Sequence, residues 1–528
     1  MGLNILSVKR ELRMSLDILF VNPSAQAGIY QGLAESLTAI EPPLWARLLA
    51  SYMKAKGASV DIVDPGAVGM TTEECVDAAS AMNPRLVVVV VQGHQPSAST
   101  QTMPAAIHFC QRFKAEREDI PVLVVGGHPA ALPERTLEET GADFVCTGEG
   151  PVLIAALARC LKSGAMFSSR SDAFEDVPGL CHRVGQKIIK TGVAENIWNL
   201  TEEIPGGMWD KLPMEKYRAH NWHCFGEESR TPYASIYTTL GCPYSCSFCN
   251  IQNPFREGDK LRYGGKANSY RIWNPAHIGD EIQLLVEKYG VRNLKIADEM
   301  FVLNRSHVLN VCEQIISRGL GDKLNAWCYA RVDTLKDDRL LERMREAGIR
   351  WCGVGIESMS EHVRDGVDKN DFTVDDIFKA CDKLRQHDIC LAANFMFGLP
   401  DDDEKSMNET LDMAFEIMPE WCNFYCTVAY PGTALYQQTL ENGWELPASW
   451  SGYSHHAYDY LPLRTKHLTA AEVLRFRDAA FQKFYNSPSY QSRVLTNFGP
   501  RAVVEVQEMA RMPLRRKLLE NANEPVSP

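Results

Sequence analysis

The sequence lacks any long apolar run. Its most uniform stretch, LVVVVV at 86–91, is strand-sized, far short of the ~20 residues a membrane-spanning helix needs. The first residues, MGLNILSVKRELRMS, carry charge with no continuous apolar segment behind them. They do not read as a signal peptide, and a cytoplasmic location is the expectation. Lysine- and arginine-rich runs are missing too, and the net charge is −12. That argues against a broad nucleic-acid-binding face. There is no internal repeat and no low-complexity tract. Cysteine, by contrast, is plentiful, with 16 scattered through 528 residues. A disulfide framework belongs to short secreted chains. Reduced thiols, some in a core and some on metal, are the better reading here.

A chain of this length holds two or three domains with sizeable cores. Strand patterns at Leu16–Val21, Ser59–Val63, Leu86–Val91, Val122–Val125 and Asp143–Cys146 alternate with amphipathic helical patterns. This alternation predicts an α/β domain over 14–165, with a doubly wound parallel sheet of Rossmann-like type. Its ligand belongs at the carboxyl ends of the strands. Residues 166–230 lose the rhythm and read as a linker. From 231 to 440 the alternation returns. Strands are expected at Ser235–Leu240, Asn293–Ala297, Asn325–Ala330, Trp351–Ile356, Cys390–Phe397 and Asn423–Val428. Helical patterns follow the first five, with Asn274 and Asn304 where N-caps would sit. This is the pattern of a partial (β/α)6 barrel of TIM type, whose chemistry lies on the loops after the strands. Residues 441–528 read as a helical C-terminal tail.

The loop after the first barrel strand reads TTLGCPYSCSFCN, placing Cys242, Cys246 and Cys249 in a Cys-x3-Cys-x2-Cys spacing with Phe248 before the last. Three thiolates on one short loop suit three irons of a four-iron cluster and leave the fourth iron open. A structural zinc site usually wants four ligands, and no fourth cysteine lies nearby.

This loop resembles the defining motif of the radical S-adenosylmethionine superfamily. The resemblance implies a 4Fe-4S cluster on the three cysteines, with S-adenosylmethionine chelated to the open iron and cleaved to a deoxyadenosyl radical. Further segments match the family's cofactor-binding places in order. IADEMF offers Glu299 for the cofactor's amino group, and YARVD offers Arg331 for its carboxylate. GVGIES offers Glu357 for the ribose, and FMFGLPDDDE offers backbone at Gly398 and Pro400 for the adenine.

A doubly wound domain before such a barrel resembles the cobalamin-binding subclass, and the match covers nearly the whole chain. The implied cobalamin-facing residues are Gln92, Gly93 and His94 after the third strand, Gly126, Gly127 and His128 after the fourth, and Gly148 and Glu149 after the fifth. One departure stands out. Many cobalamin domains place Asp-x-His-x-x-Gly after the first strand, whereas this chain reads NPSAQAGIYQG. Its lower axial cobalt ligand is therefore expected not to come from that place.

Other groupings stay open. His220, His223 and Cys224 suit either metal or a packed domain junction. Cys422 and Cys426 share a strand face. Arg256, Arg262 and Arg271, among Tyr263, Tyr270 and Trp273, suit a substrate clamp or a basic surface loop. The expected function is a cobalamin-dependent radical methyltransferase acting on an unactivated carbon of a small-molecule substrate, with a reductant such as flavodoxin or ferredoxin. The alternative is an oxidative cyclase or rearrangement enzyme like the anaerobic porphyrin cyclase. Two further rivals are weaker. An RNA methylthiotransferase wants a second cysteine cluster and a basic tail, and a cobalamin sensor has no use for the cluster motif.

Overall fold

The computed structural model describes residues 16–24, 29–34, 37–93, 95, 97–163, 171–227, 229–255 and 269–521. His94, Arg256, Arg262 and Tyr263 lie outside the described residues. The first five strands are β1 (Ile18–Val21), β2 (Val60–Val63), β3 (Leu86–Val91), β4 (Val122–Gly126) and β5 (Phe144–Cys146). They pair in parallel in the order β2-β1-β3-β4-β5. Every residue of β3 is buried, as helices on both faces of a parallel sheet require. The order reverses between β1 and β3, and that switch point opens a crevice at the strands' carboxyl ends.

The segment expected to be a linker contributes to this sheet. β6 (Leu180–Val184) and β7 (Lys187–Lys190) form an antiparallel hairpin that extends it to seven strands. The turn is Gly185-Gln186, with Gly185 at φ +60, a two-residue connection that matches the strand twist. The hairpin escapes a pattern reading because its tip is exposed. Leu180 and Cys181 are fully buried, whereas Lys187 and Lys190 are exposed.

The second half holds β8 (Tyr233–Ile236), β9 (Thr239–Leu240), β10 (Arg271–Ile272), β11 (Asn293–Ile296), β12 (Asn325–Arg331), β13 (Ile349–Glu357), β14 (Cys390–Phe397) and β15 (Trp421–Cys426). Six of these form an open parallel sheet in the order β15-β14-β13-β12-β11-β8. The first expected barrel strand is split. β8 pairs with β11, then the chain turns and β9 pairs antiparallel with β10. Asn274 and Asn304 cap their helices, accepting from the N–H groups of Ala276 and His307. Trp222 packs against Trp327, Trp351 and Trp421 near the starts of three strands, a plug at the end of the sheet away from the catalytic loops. The tail forms helices Ala470–Tyr485, Pro488–Phe498 and Pro500–Arg511. It covers the β15 side, with Phe484 on Phe424 and Phe476 on Phe397. Among the described residues, no helix is long and apolar enough to cross a membrane.

Three buried or half-buried ion pairs join the two halves. Arg47 Nη1 lies 2.7 Å from Glu281 Oε1, Arg271 Nη1 lies 2.9 Å from Glu149 Oε1, and Lys295 Nζ lies 3.0 Å from Glu41 Oε1. Arg47 also stacks on Trp209, whose indole N–H donates to the same carboxylate. Removing one partner of such a buried pair strands the other charge at a cost of about 3–5 kcal/mol. Arg47→Met is therefore expected to lower stability toward denaturant by that order, with much of the loss recovered in Arg47→Met/Glu281→Leu. Additive losses in the double variant would show that the pair is not coupled.

Candidate functional site

The loop carrying the three cysteines starts where β9 ends. Gly241, at φ +88, runs so close to the far end of the loop that a Cβ there would fall 2.0 Å from the Ser269 carbonyl oxygen. Ser247 N donates to Val367 O at 3.1 Å, and Leu435 N donates to Ser247 O at 2.9 Å. Phe248 packs between two small apolar groups, Val363, Val367 and Leu399 on one side and Ala429, Leu435 and Leu463 on the other. The aromatic residue of the motif therefore anchors the loop between the exits of β13, β14 and β15.

Among the described residues, no three cysteine, histidine or carboxylate side chains gather as ligands of a single ion. The thiols of Cys242, Cys246 and Cys249 are nonetheless neighbours that act on one another electrostatically. A cubane cluster spreads its thiolates over separate irons, so this donor set suits a cluster better than a single ion. Burial pushes the Cys242 thiol up to about 12 and raises those of Cys246 and Cys249. Bound iron offsets such a penalty by stabilising the thiolate.

The expected S-adenosylmethionine residues converge on this loop. Glu299, just after β11, acts on Cys242 and Cys249. Its Oε2 is buried with no hydrogen-bond partner among the described residues. Burial first, and the neighbouring Asp298 second among the raising influences, push its carboxyl up to about 8. Asp298 itself is held by Thr238, whose N–H and hydroxyl both donate to it. Arg331, ending β12, lies 3.8 Å from Cys246 Sγ, stacks 3.7 Å over Tyr244, and pairs with Asp333 and Asp371. Glu357, ending β13, takes φ +65, a strained choice for a non-glycine residue. It pairs with Lys369. Gly355 leaves room for that pair, since a Cβ there would fall 2.7 Å from both partners. After β14, Gly398 (φ +80) lies against Val473, and the Gly398 and Leu399 N–H groups donate to Asp402. The Pro400 carbonyl accepts from Lys466 N.

A cavity of about 660 Å³ lies between the crevice of the first sheet and the inner face of the second. Asn22, Asp64, Gln92, Gly93 and Gln101 line one side, and Lys295, Tyr329, Asn394, Asn423 and Tyr425 line the other. Gln95 donates to the Tyr329 hydroxyl across it at 3.0 Å. Several residues expected to face cobalamin are placed differently. Gly126, at φ +146, closes onto the Val91 carbonyl, and Gly127 N donates to Gln92 Oε1 at 2.8 Å. His128 is buried between Thr100 and Trp450, and Glu149 is spent on Arg271 and the Ile197 N–H. Neither these two nor Gly148 lines the cavity; of the cysteine loop Phe248 lines it, while the three cysteines, Glu299, Arg331 and Glu357 lie behind that lining. Gly126, Gly127, His128 and Glu149 thus make contacts within the protein at the ends of β3, β4 and β5. The segment His220–Cys224 is divided: His220, Asn221 and Trp222 line the cavity, and His223 and Cys224 pack in the junction behind it. His223 Nε2 is 2.8 Å from the Asn325 carbonyl, and Cys224 is buried. Cys422 and Cys426 share the face of Phe424, which packs on the tail. Asn423 and Tyr425 are the half-buried residues that alternate with them and face the cavity.

Sequence reasoning missed Lys295, Lys369, His455, His456 and Arg477. Lys295 carried a signal, being a lone charge inside the apolar strand NLKI. The others lie in loops or on the tail, where no spacing rule applies.

Residues 30–158 match the family model of the B12 binding domain, and residues 236–414 match that of the radical SAM superfamily. The chain belongs to the cobalamin-binding radical S-adenosylmethionine enzymes. An uncharacterized methyltransferase of Pyrococcus horikoshii is 24% identical over 90% of this chain and 93% of its own. The anaerobic magnesium-protoporphyrin IX monomethyl ester cyclase of Cereibacter sphaeroides is 26% identical over 89% of this chain and 70% of its own. The radical S-adenosylmethionine methyltransferase TsrM from Kitasatospora setae, solved with cobalamin and a 4Fe-4S cluster bound, shares the fold with a TM-score of 0.65 at 17% identity, covering 90% of each chain. The cofactors of this radical enzyme are accordingly a 4Fe-4S cluster, S-adenosylmethionine and cobalamin.

The buried Glu299 makes a testable statement about the cluster-free protein. Its folded value near 8 lies above the unfolded carboxyl value of 4.5. Folded protein therefore binds the extra proton between those values, and stability falls as pH rises through that window. Glu299→Gln removes the penalty. It is expected to raise the melting temperature at pH 8 and to leave it nearly unchanged at pH 4. An equal effect at both would contradict the assignment.

Proposed function

We propose that this enzyme transfers a methyl group from S-adenosylmethionine, by way of cobalamin, to an unactivated carbon of a small molecule. The observation that carries this reading is the single cavity lined from one side by the crevice of the cobalamin domain and from the other by the inner face of the barrel. When bound, the cluster supplies the electron for S-adenosylmethionine cleavage and cobalamin carries the methyl group.

The chain's own residues bind, orient and shield. Glu299 loses its proton to hold the ammonium group of S-adenosylmethionine, and that charge relieves the burial of its carboxylate. Arg331 offers its guanidinium to the cofactor's carboxylate, held in line by Tyr244 and Asp333. Glu357, oriented by its pairing with Lys369, meets the ribose, and the backbone around Gly398 and Pro400 lies along the adenine. Gln92 and Gly93 bound the corrin side. Aromatic walls from Tyr329 and Tyr425 exclude water from the space between the two cofactors.

The cyclase relative supports a second reading, oxidative cyclisation, which uses the same cofactors. A reductant of the flavodoxin or ferredoxin type and a cytoplasmic location complete the proposal. All 16 cysteines are free thiols, which suits a reducing compartment.

Two measurements test the reading. Replacing Cys242, Cys246 and Cys249 by alanine, singly, is expected to abolish iron and sulfide retention after anaerobic reconstitution while leaving bound cobalamin unchanged; retention of a full cluster would contradict the ligand set. With substrate and S-adenosylmethionine carrying a deuterated methyl group, the product is expected to gain an intact trideuteriomethyl group in place of one hydrogen. An unlabelled product would overturn methyl transfer and leave the cyclase reading.

A further inference from the structure

One wall of the cavity carries an unbalanced charge. The tail helix Ala470–Tyr485 brings Arg477 and Asp478 to the cavity lining. Arg477 Nη1 lies 2.9 Å from Asp478 Oδ1. Arg516 also turns on this carboxylate, with Nε 3.3 Å from Oδ2 and Nη2 3.3 Å from Oδ1. Two guanidinium groups therefore share one carboxylate.

Each of the three nitrogens of Arg516 has an acceptor, because its Nη1 donates to the His455 carbonyl at 2.7 Å. That does not hold for Arg477. Its Nε donates to the Phe424 carbonyl at 2.8 Å and its Nη1 to Asp478, which leaves Nη2 without a partner among the described residues, on a side chain that lines the cavity. The groups around it do not supply the missing negative charge. His455 and His456 lie in the same wall. Burial first, then the two guanidiniums, keep His456 neutral down to about pH 3, and burial also holds His455 neutral. His456 Nδ1 is buried without a partner among the described residues. Lys295, the other cation on the lining, is matched by Glu41. Asp64, on the far side, is held by Tyr217 and Asn22.

We propose that this wall, centred on Arg477, is the subsite for an anionic group of the substrate, a carboxylate or a phosphate. The proposal deepens the reading of the cavity as the reaction chamber and rests on it. A substrate anion there completes the pairing of two guanidiniums with two anions. It also orients the molecule, with one end fixed at the tail and the rest extended between the two cofactor sites.

The test is calorimetric, on protein loaded with cluster and cobalamin, using butyrate, methyl phosphate and neutral butyramide as probes. At least one anion is expected to bind, and butyramide not to. Arg477→Gln is expected to weaken the anion about tenfold, the loss of one charge-assisted hydrogen bond. Asp478→Asn, which removes the shared carboxylate, is expected to tighten it severalfold. This opposite sign keeps the test decisive even if Arg477→Gln misfolds. Butyramide binding as well as butyrate, no binding of either anion, or no response to Asp478→Asn would overturn the proposal. So would anion binding that appears only before cobalamin is loaded, which would assign the wall to the cofactor's own phosphodiester. These readouts do not depend on methyl transfer, so a failed labelling experiment leaves them standing.

Discussion

Everything in this molecule depends on two α/β units being held at one fixed seam. Each unit alone presents only half a cavity. The three ion pairs Arg47–Glu281, Arg271–Glu149 and Lys295–Glu41 fix the relation between the halves. Charged pairs with apolar surroundings contribute little net stability, because desolvation offsets most of the attraction. They do penalise every alternative register, since a slipped seam buries charges without partners. The pairs sit where an error would matter. Arg271 belongs to the hairpin that frames the cysteine loop, and Lys295 lies four residues before Glu299 on the same strand and loop.

Around that seam the catalytic half stores unfavourable features that ligands relieve. Glu299 is buried with an unpartnered oxygen beside Asp298. Glu357 holds a left-handed backbone conformation next to Lys369. The three thiols lie close together, Cys242 buried and Cys246 and Cys249 half-buried. The buried carboxyl of Glu299 suits a cofactor that brings a positive charge, and the three thiols suit a metal. His128 and His223 each have one ring nitrogen within reach of a protein partner and the other buried without one among the described residues.

Much of this was legible in the sequence. The alternation of apolar runs with helical patterns gave all the major strands of both sheets to within a few residues, because parallel strands buried on both faces carry an unmistakable apolar signature. The cysteine spacing and the residues ending β11, β12 and β13 were legible because they lie at fixed places on loops. The hairpin β6–β7 was not, since its alternation fades into exposed lysines. The protein contacts of Gly126, His128 and Glu149 were not legible for a different reason. A glycine that lets a ligand approach and one that lets a strand approach have the same local sequence, and only the Val91 carbonyl beside Gly126 tells them apart. The tail residues His456 and Arg477 reach the cavity through tertiary packing alone, which no local pattern encodes.

On the reading proposed above, the cluster and cobalamin open onto one shared space, lined in part by Phe248 of the cysteine loop. Electron paramagnetic resonance of protein holding both cob(II)alamin and the reduced cluster tests it most directly. Two unpaired spins facing each other across this cavity should broaden each other's signals, and re-oxidising the cluster should restore the sharp cob(II)alamin spectrum. A cob(II)alamin signal indifferent to the redox state of the cluster would place the two centres in separate sites and contradict the account.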